Sequence, residues 1–247
     1  MSEANLALVD TIMQELARFL TRSEYAAMVE GLASEFTLQQ GRTIAYFEAA
    51  TGAPPAVSGF ASARYAQAAT DAVRNIAQNV PTQYLTTPLR NTILEGIATG
   101  SSYSDLLGNI QGIIIGSDTS EGALLRYSRQ IVSDSLSVTD REFTNIVADD
   151  LGLEWRLYAG GEMDTTRCFC DKRNGKYFHR EEIAAWGRGE DVGACGYPWG
   201  GMFKGTNEAT IFAYVGGYNC QHSLLPVSEA IVPPEDVARA RAKGYIQ

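Results

Sequence analysis

Between Thr119 and Asp150 the chain carries Leu124, Leu125, Ile131, Val132, Leu136, Phe143, Ile146 and Val147 as a stripe with a period near 3.6 residues. No proline interrupts the stripe, and only Gly122 near its start weakens it. The pattern predicts one amphipathic helix, roughly 45 Å long at 1.5 Å of rise per residue. Gly152 stands where a C-terminal glycine stops a helix. A rod of this length outruns most single-domain helices, so it is expected to bridge a helical body to whatever follows it.

The chain before the rod also reads as helix. Val9, Ile12, Met13, Leu16, Phe19 and Leu20 recur at helical spacing. Ser23 can cap a second helix carrying Tyr25, Met28, Val29, Leu32 and Phe36. TGAPPAVSG, residues 51–59, is a loop, because two prolines between glycines cannot continue a helix. An alanine-rich helix is expected over 61–79. Thr87-Pro88 reads as a cap followed by proline in the first turn, ahead of Leu89, Ile93, Leu94 and Ile97. Gly100 ends that helix, and residues 101–104 can cap another with Leu106, Leu107, Ile110 and Ile113 facing inward.

After Gly152 the period changes from 3.6 to 2. Leu153, Trp155 and Leu157 alternate with polar residues, as in a half-buried strand. A short helix is expected over 180–188, a glycine-rich loop over 187–205, a strand at ATIFAYVGG and another at SLLPVS. The fold class is therefore α+β. A helical region with long amphipathic helices (1–150) precedes a small glycine-rich α+β domain (151–230). A C-terminal tail (231–247), a short exposed helix with Pro-Pro at its start, offers itself to a partner.

Charge limits the partners. Residues 1–150 hold 9 Arg, no Lys and 17 acidic residues, a net −8, while residues 151–247 carry a net −1. Nucleic-acid affinity draws mainly on basic residues that neutralise phosphate. An acidic body without a basic stripe argues against direct DNA binding, and Arg167, Lys172, Arg173 and Lys176 read as a solvated loop face. The opening residues lack a basic segment followed by an apolar run, and IQGIIIG at 110–116 is too short to span a bilayer. A soluble protein in a reducing cytoplasm is expected, where disulfides are not the default.

All four cysteines and both histidines lie between Cys168 and His222. Cys220 and His222 are two apart, as are Cys168 and Cys170, so on strands each pair projects from one face. Facing one another, the four would make a Cys₃His zinc site. Two other readings stand beside zinc: thiols acting as small buried hydrophobes with a hydrogen-bonded core His222, or a disulfide formed after release from the cell. His179 precedes REEI and reads as a cap or flank of that helix, and Cys195 in its glycine loop as incidental. No Walker loop, HExxH, GxSxG or strand-borne GxGxxG occurs, and Glu181-Glu182 fits the acidic first turn of a helix. The expectation is not an enzyme. The alternative kept open is a cysteine-dependent hydrolase or toxin-like effector with a helical delivery segment, using Cys170 with His222 or His179, since Cys220 and His222 are too close along a strand to be oriented as nucleophile and base.

The order of these pieces resembles a known family. RYSRQIVSDSLSVTDREF on the rod is followed by Trp155, Asp164, Thr166, Arg167, Cys168 or Cys170, Gly175, Lys176, Phe178, Asn219, Cys220 and His222. In this the chain, over about residues 120–228, is similar to the phage Mu F-type minor head proteins, or head morphogenesis proteins. It departs from them in Cys168-Phe169-Cys170 where Cys-x-x-Cys is common, in Gln221 where arginine is common, and in an insert over 187–205 that brings Cys195. The resemblance implies a virion structural protein, a minor head component near the portal during assembly, DNA packaging or ejection. Its partners would be portal, capsid or connector proteins, with several copies per particle and no membrane. Its location would be the head or head–tail connector, after assembly in the host cytoplasm. Trp186, Tyr197, Trp199 and Phe203 are the candidate partner-binding aromatics. A structural zinc is the one candidate cofactor.

Overall fold

The computed structural model describes residues 24–99, 116–117, 120–121, 123–161 and 163–247, with isolated positions before and between them. The expected helices around residues 9–20 and 106–113, and the caps at Ser23 and 101–104, lie largely outside the described residues. The described chain is α+β, with long helices first and a small antiparallel sheet in the C-terminal part. Among the described residues, no helix is long and apolar enough to cross a membrane.

Helix α1 spans Glu24–Thr51, α2 Gly59–Arg74 and α3 Thr87–Thr99. The expected loop over 52–58 separates α1 from α2. Between α2 and α3 the chain does not leave the helix. Two wide π turns, Asn75–Asn79 and Thr82–Thr86, carry it through, with Val80 N–H bonding Asn75 O and Thr87 N–H bonding Thr82 O. Thr87 is itself helical (φ −66°, ψ −48°), so it is not the cap its sequence suggested. A proline ring collides with the carbonyl four residues back. For Pro81 and Pro88 those carbonyls belong to Ala77 and Tyr84, and each lies within a widened turn.

Strands β1 (Gly116–Ser117) and β2 (Ser120–Glu121) pair antiparallel, and the rod, α4, spans Ala123–Asp150. It therefore starts four residues later than the periodicity suggested. It stops where expected: Gly152 takes φ +66°, its N–H bonds Asp149 O, and Leu153 N–H bonds Ala148 O. This is the Schellman arrangement, whose left-handed position favours a residue without a Cβ.

The chain divides into two compact units: residues 1–36 with 69–133, and residues 37–68 with 134–247. In the first, Leu32, Phe36, Ile76, Val80, Leu85, Leu89 and Ile93 are buried, and Tyr84 stacks on Tyr127 at 4.0 Å between ring centres. The second unit contains the sheet and reaches beyond residues 151–230 on both sides, taking in parts of α1, α2 and α4. There Phe47, Ala61, Tyr65, Phe143 and Val147 are buried, and Thr43 Oγ1 donates to Asp140 Oδ1 at 2.6 Å. Burial raises the Asp140 carboxyl above its ordinary range, against that hydrogen bond.

The sheet has the order β4 (Tyr177–His179), β3 (Trp155–Gly160), β5 (His222–Val227), antiparallel throughout. Trp155 pairs with His179 on one side and Val227 on the other. The sequence suggested one solvated face, but both are covered. Trp155 packs with Val227, Val232 and Ala240, against helix α8 (Pro234–Ala242). Tyr158 points the other way, into a core with Phe169, Phe178, Trp186, Trp199, Ile211 and Leu224. Arg156 is also buried, its guanidinium donating to Leu153 O, Asn145 Oδ1 and Asp149 Oδ1. The C-terminal segment is thus no exposed tail: Asp236 and Ala240 of α8 are buried against the sheet.

Two short helices complete this unit. The expected helix after His179 is α6 (Arg180–Gly187), and His179 caps it, its Nδ1 accepting from Glu181 N–H. ATIFAYVGG is not a strand. Asn207 Oδ1 accepts from Ala209 and Thr210 N–H, a turn that starts helix α7 (Ile211–Tyr214). The side-chain-to-backbone hydrogen bonds of this turn override the β-branched and aromatic composition.

Candidate metal centre

Cys168 and Cys170 share a single helical turn, α5 (Cys168–Asp171), and not a strand. At about 100° per residue, positions two apart on a helix point to nearly opposite sides. Cys168 turns outward and forms a disulfide with Cys195, across 5.7 Å between Cα atoms. Cys170 turns inward. The expected four-ligand set is corrected accordingly: Cys168 is not a candidate ligand, and Cys195 is its bridge partner, not an incidental thiol.

The inward sulfur meets the second half of the motif. Cys170 Sγ lies 3.8 Å from Cys220 Sγ, and Cys220 Sγ lies 4.0 Å from His222 Nδ1. All three residues are buried, Cys220 being 5% and His222 3% exposed. Their ligand atoms fall within 4.8 Å of one another, so the trio could hold a metal ion. His222 Nε2 is buried without a hydrogen-bond partner. The Tyr158 hydroxyl donates to Cys170 Sγ at 3.2 Å, and its ring lies 5.4 Å from the His222 ring.

Glycine makes this approach feasible. A Cβ at Gly216 would sit 2.4 Å from Cys170 Sγ and 2.8 Å from Cys220 Sγ, and no side chain fits there. Three donors hold the backbone in place around it. Arg167 Nη1 and Trp199 Nε1 both donate to Gly216 O, at 3.3 and 3.2 Å, and Arg167 Nη2 donates to Tyr218 O at 2.6 Å. From the rod, buried Arg141 donates to Cys220 O at 2.6 Å and to Ala213 O at 3.4 Å. Asp134, seven residues earlier on the same helical face, accepts from Asn219 N–H at 2.8 Å. Sequence reasoning passed over Arg141, Asp134 and Tyr158. The i, i+7 spacing of two charged residues on an otherwise amphipathic rod was the available signal for the first two.

The two thiols have opposite character. Cys220 is held down, to about 5, by the hydrogen bond from Cys170, opposed by burial and aided by the positive Arg141 and by bonds from the His222 and Gly216 backbone. Cys170 is pushed up by the same shared hydrogen bond and by burial. The pair thus holds one proton, kept on Cys170, with the negative charge on the sulfur nearer Arg141. Burial, together with the neighbouring sulfurs, raises the Tyr158 hydroxyl, which stays a donor.

The aromatic candidates separate in the same way. Trp186 (1% exposed) and Trp199 (3% exposed) are core residues: Trp199 stacks on Phe169 at 4.0 Å, and Trp186 meets Phe178 edge-on at 4.7 Å. Neither forms a surface anchor. Phe203 is half-buried between Tyr214 and Tyr218, which leaves Tyr197 as the exposed member of the four. The basic loop face also breaks up: Arg167 clamps the 216–218 turn and Arg173 is buried, while Lys172 and Lys176 face solvent.

No family model, no curated protein and no solved structure matches this chain.

Proposed function

We propose that this chain is a structural component of a bacteriophage head, a minor head protein acting near the portal during assembly, packaging or ejection. The observation that supports this reading is convergence. Residues through which the chain resembles the Mu F-type proteins lie as far apart as Trp155 and His222. Tyr158, Phe169, Cys170, Phe178 and Cys220 come from those same segments and share one core, and Asp134 and Arg141 of the rod bond to the same loop. The hydrogen bonds from Asp134 and Arg141 of α4 fix this loop to the helix that carries the first part of the resemblance. Quantitative mass spectrometry of gradient-purified particles tests the reading. The chain is expected in a fixed number of copies per particle, and its absence from particles would overturn the proposal.

Within this reading the trio supplies three of the four ligands that a structural zinc takes. Two zinc–thiolate bonds of about 2.3 Å at the tetrahedral angle place their sulfurs about 3.8 Å apart. That is the spacing of Cys170 and Cys220. One sulfur already favours the thiolate, and His222 Nδ1 lies 4.0 Å from it. Bound there, zinc would tie α5 to β5 across the core; Cys170, Cys220 and His222 would hold it.

The alternative, a cysteine-dependent hydrolase, draws on the lowered Cys220 thiol beside His222. It requires substrate to reach a sulfur enclosed by the Gly216 backbone, Cys170 and Arg141, and the burial of that sulfur favours the structural reading.

A further inference from the structure

A pocket of about 330 Å³ lies on the far side of Trp186 and Phe178, with walls from three parts of the second unit. Lys172, Arg173 and Lys176 follow α5, Asp191 to Cys195 form the opposite loop, and Arg239 and Lys243 come from α8. The Cys168–Cys195 disulfide ties the first wall to the second. In a chain of net charge −9, this pocket gathers five cations against two carboxylates, Glu182 and Asp191.

The pairing among these charges is uneven. Buried Glu182 accepts from Arg239 Nη2 at 3.3 Å and from Lys243 Nζ at 3.2 Å. Lys243 also pairs with Asp191, and Arg239 with Asp236. The cations of α8 are therefore matched. Those after α5 are not. Arg173 is 5% exposed and donates only to backbone carbonyls, those of Phe169 and Asp191, while its guanidinium lies 3.8 Å from the centre of the Phe169 ring and 4.3 Å from that of Trp186. It has no ion pair among the described residues, and its Nε is buried without a partner. Lys176 Nζ donates to Lys172 O, and Lys172 has only a solvent-exposed pair with Asp171. Solvent screens an exposed pair of that kind, so it neutralises Lys172 only weakly.

A concave site with an apolar floor and, on one wall, three cations without a buried carboxylate partner among the described residues suits an anion with an apolar body. Three positive charges favour a dianion over a monoanion, and a phosphomonoester carries about −1.5 to −2 at neutral pH. We infer that this pocket binds an organic phosphate, its phosphoryl group held by Lys172, Lys176 and the field of Arg173 and its apolar part over Phe178 and Val192. The inference does not depend on the assembly reading, since the pocket is a property of the folded unit whatever the chain joins.

The probe is phenyl phosphate, titrated calorimetrically into the full chain, with phenol as the neutral control. Saturable binding of phenyl phosphate is expected, weakened by added salt because the lysines are exposed. Lys172→Glu/Lys176→Glu reverses two solvent-facing charges without touching the core and should weaken binding by about tenfold or more. Lys204→Glu, exposed and outside the pocket, should leave it unchanged. No saturable binding, equal affinity for phenol, or wild-type affinity in the double reversal would each overturn the assignment.

Discussion

Cys170 and Cys220 hold one proton between two sulfurs, and this makes folding sensitive to pH. Unfolded, each thiol titrates near its ordinary value of 9.0; folded, Cys220 is lowered to about 5 and Cys170 is raised. Between those limits the unfolded chain binds two protons where the folded pair binds one, so the pair's contribution to stability grows as pH rises from about 5 towards 9. Above that, the unfolded chain releases both protons while the folded one retains one, and the gain declines. In urea melts without metal, the stability difference between wild type and Cys170→Ala/Cys220→Ala should widen from pH 5.5 to 8; a constant difference would show that the two thiols do not share a proton. Metal makes a second prediction at this scale. Elemental analysis of protein purified with zinc present should find about one zinc per chain. Cys220→Ser should lose it and Cys168→Ser retain it, because Cys168 is committed to Cys195. Equal loss in both variants would restore the four-ligand set and contradict the disulfide.

At the level of elements, the central contact is α4 against the 213–220 loop. Arg141→Met leaves the carbonyls of Ala213 and Cys220 without their charged donor and should destabilise the second unit by about 2–3 kcal/mol in denaturant melts. Trp199→Ala removes a ring stacked on Phe169 together with the donor to Gly216 O, at a cost of about 3–5 kcal/mol, so its effect on assembly would be inseparable from unfolding. A surface role for Trp199 would instead leave the melt unchanged. The same elements show what was legible in advance. The rod, its stop at Gly152, the Trp155 strand, the His179-capped helix and the SLLPVS strand follow from local periodicity and capping, and the structure has them. Local rules failed where they competed. Thr87-Pro88 looks like a helix start, but widened turns let the helix pass through both prolines. Ile211–Tyr214 has strand composition, but the turn that Asn207 Oδ1 makes with Ala209 and Thr210 leads it into a helical turn. The i, i+2 spacing of Cys168 and Cys170 suits one face of a strand, but a helical turn sends them to opposite sides. Which cysteines meet is decided by residues about 27 and 50 positions away, beyond the reach of any local pattern.

The chain as a whole combines long helices with a small unit in which cysteine, histidine and aromatic side chains form one core. Its second unit draws on both ends of the sequence, from Thr37 to Ala68 and from Asp134 to Gln247, so truncation at residue 150 would remove Asp134 and the buried Arg141, Phe143 and Val147 from that unit. A fragment beginning at residue 151 is therefore expected to be unstable alone, with broad, poorly dispersed amide resonances, while a fragment that retains the sheet and folds cooperatively without α4 would refute the role given to the rod. The assembly proposal concerns the chain in its particle, and an asymmetric reconstruction of the portal vertex tests it most directly. The account predicts density fitting the unit of residues 37–68 and 134–247 beside the portal. A vertex and head in which no such density is found, at a resolution where helices are resolved, would contradict it.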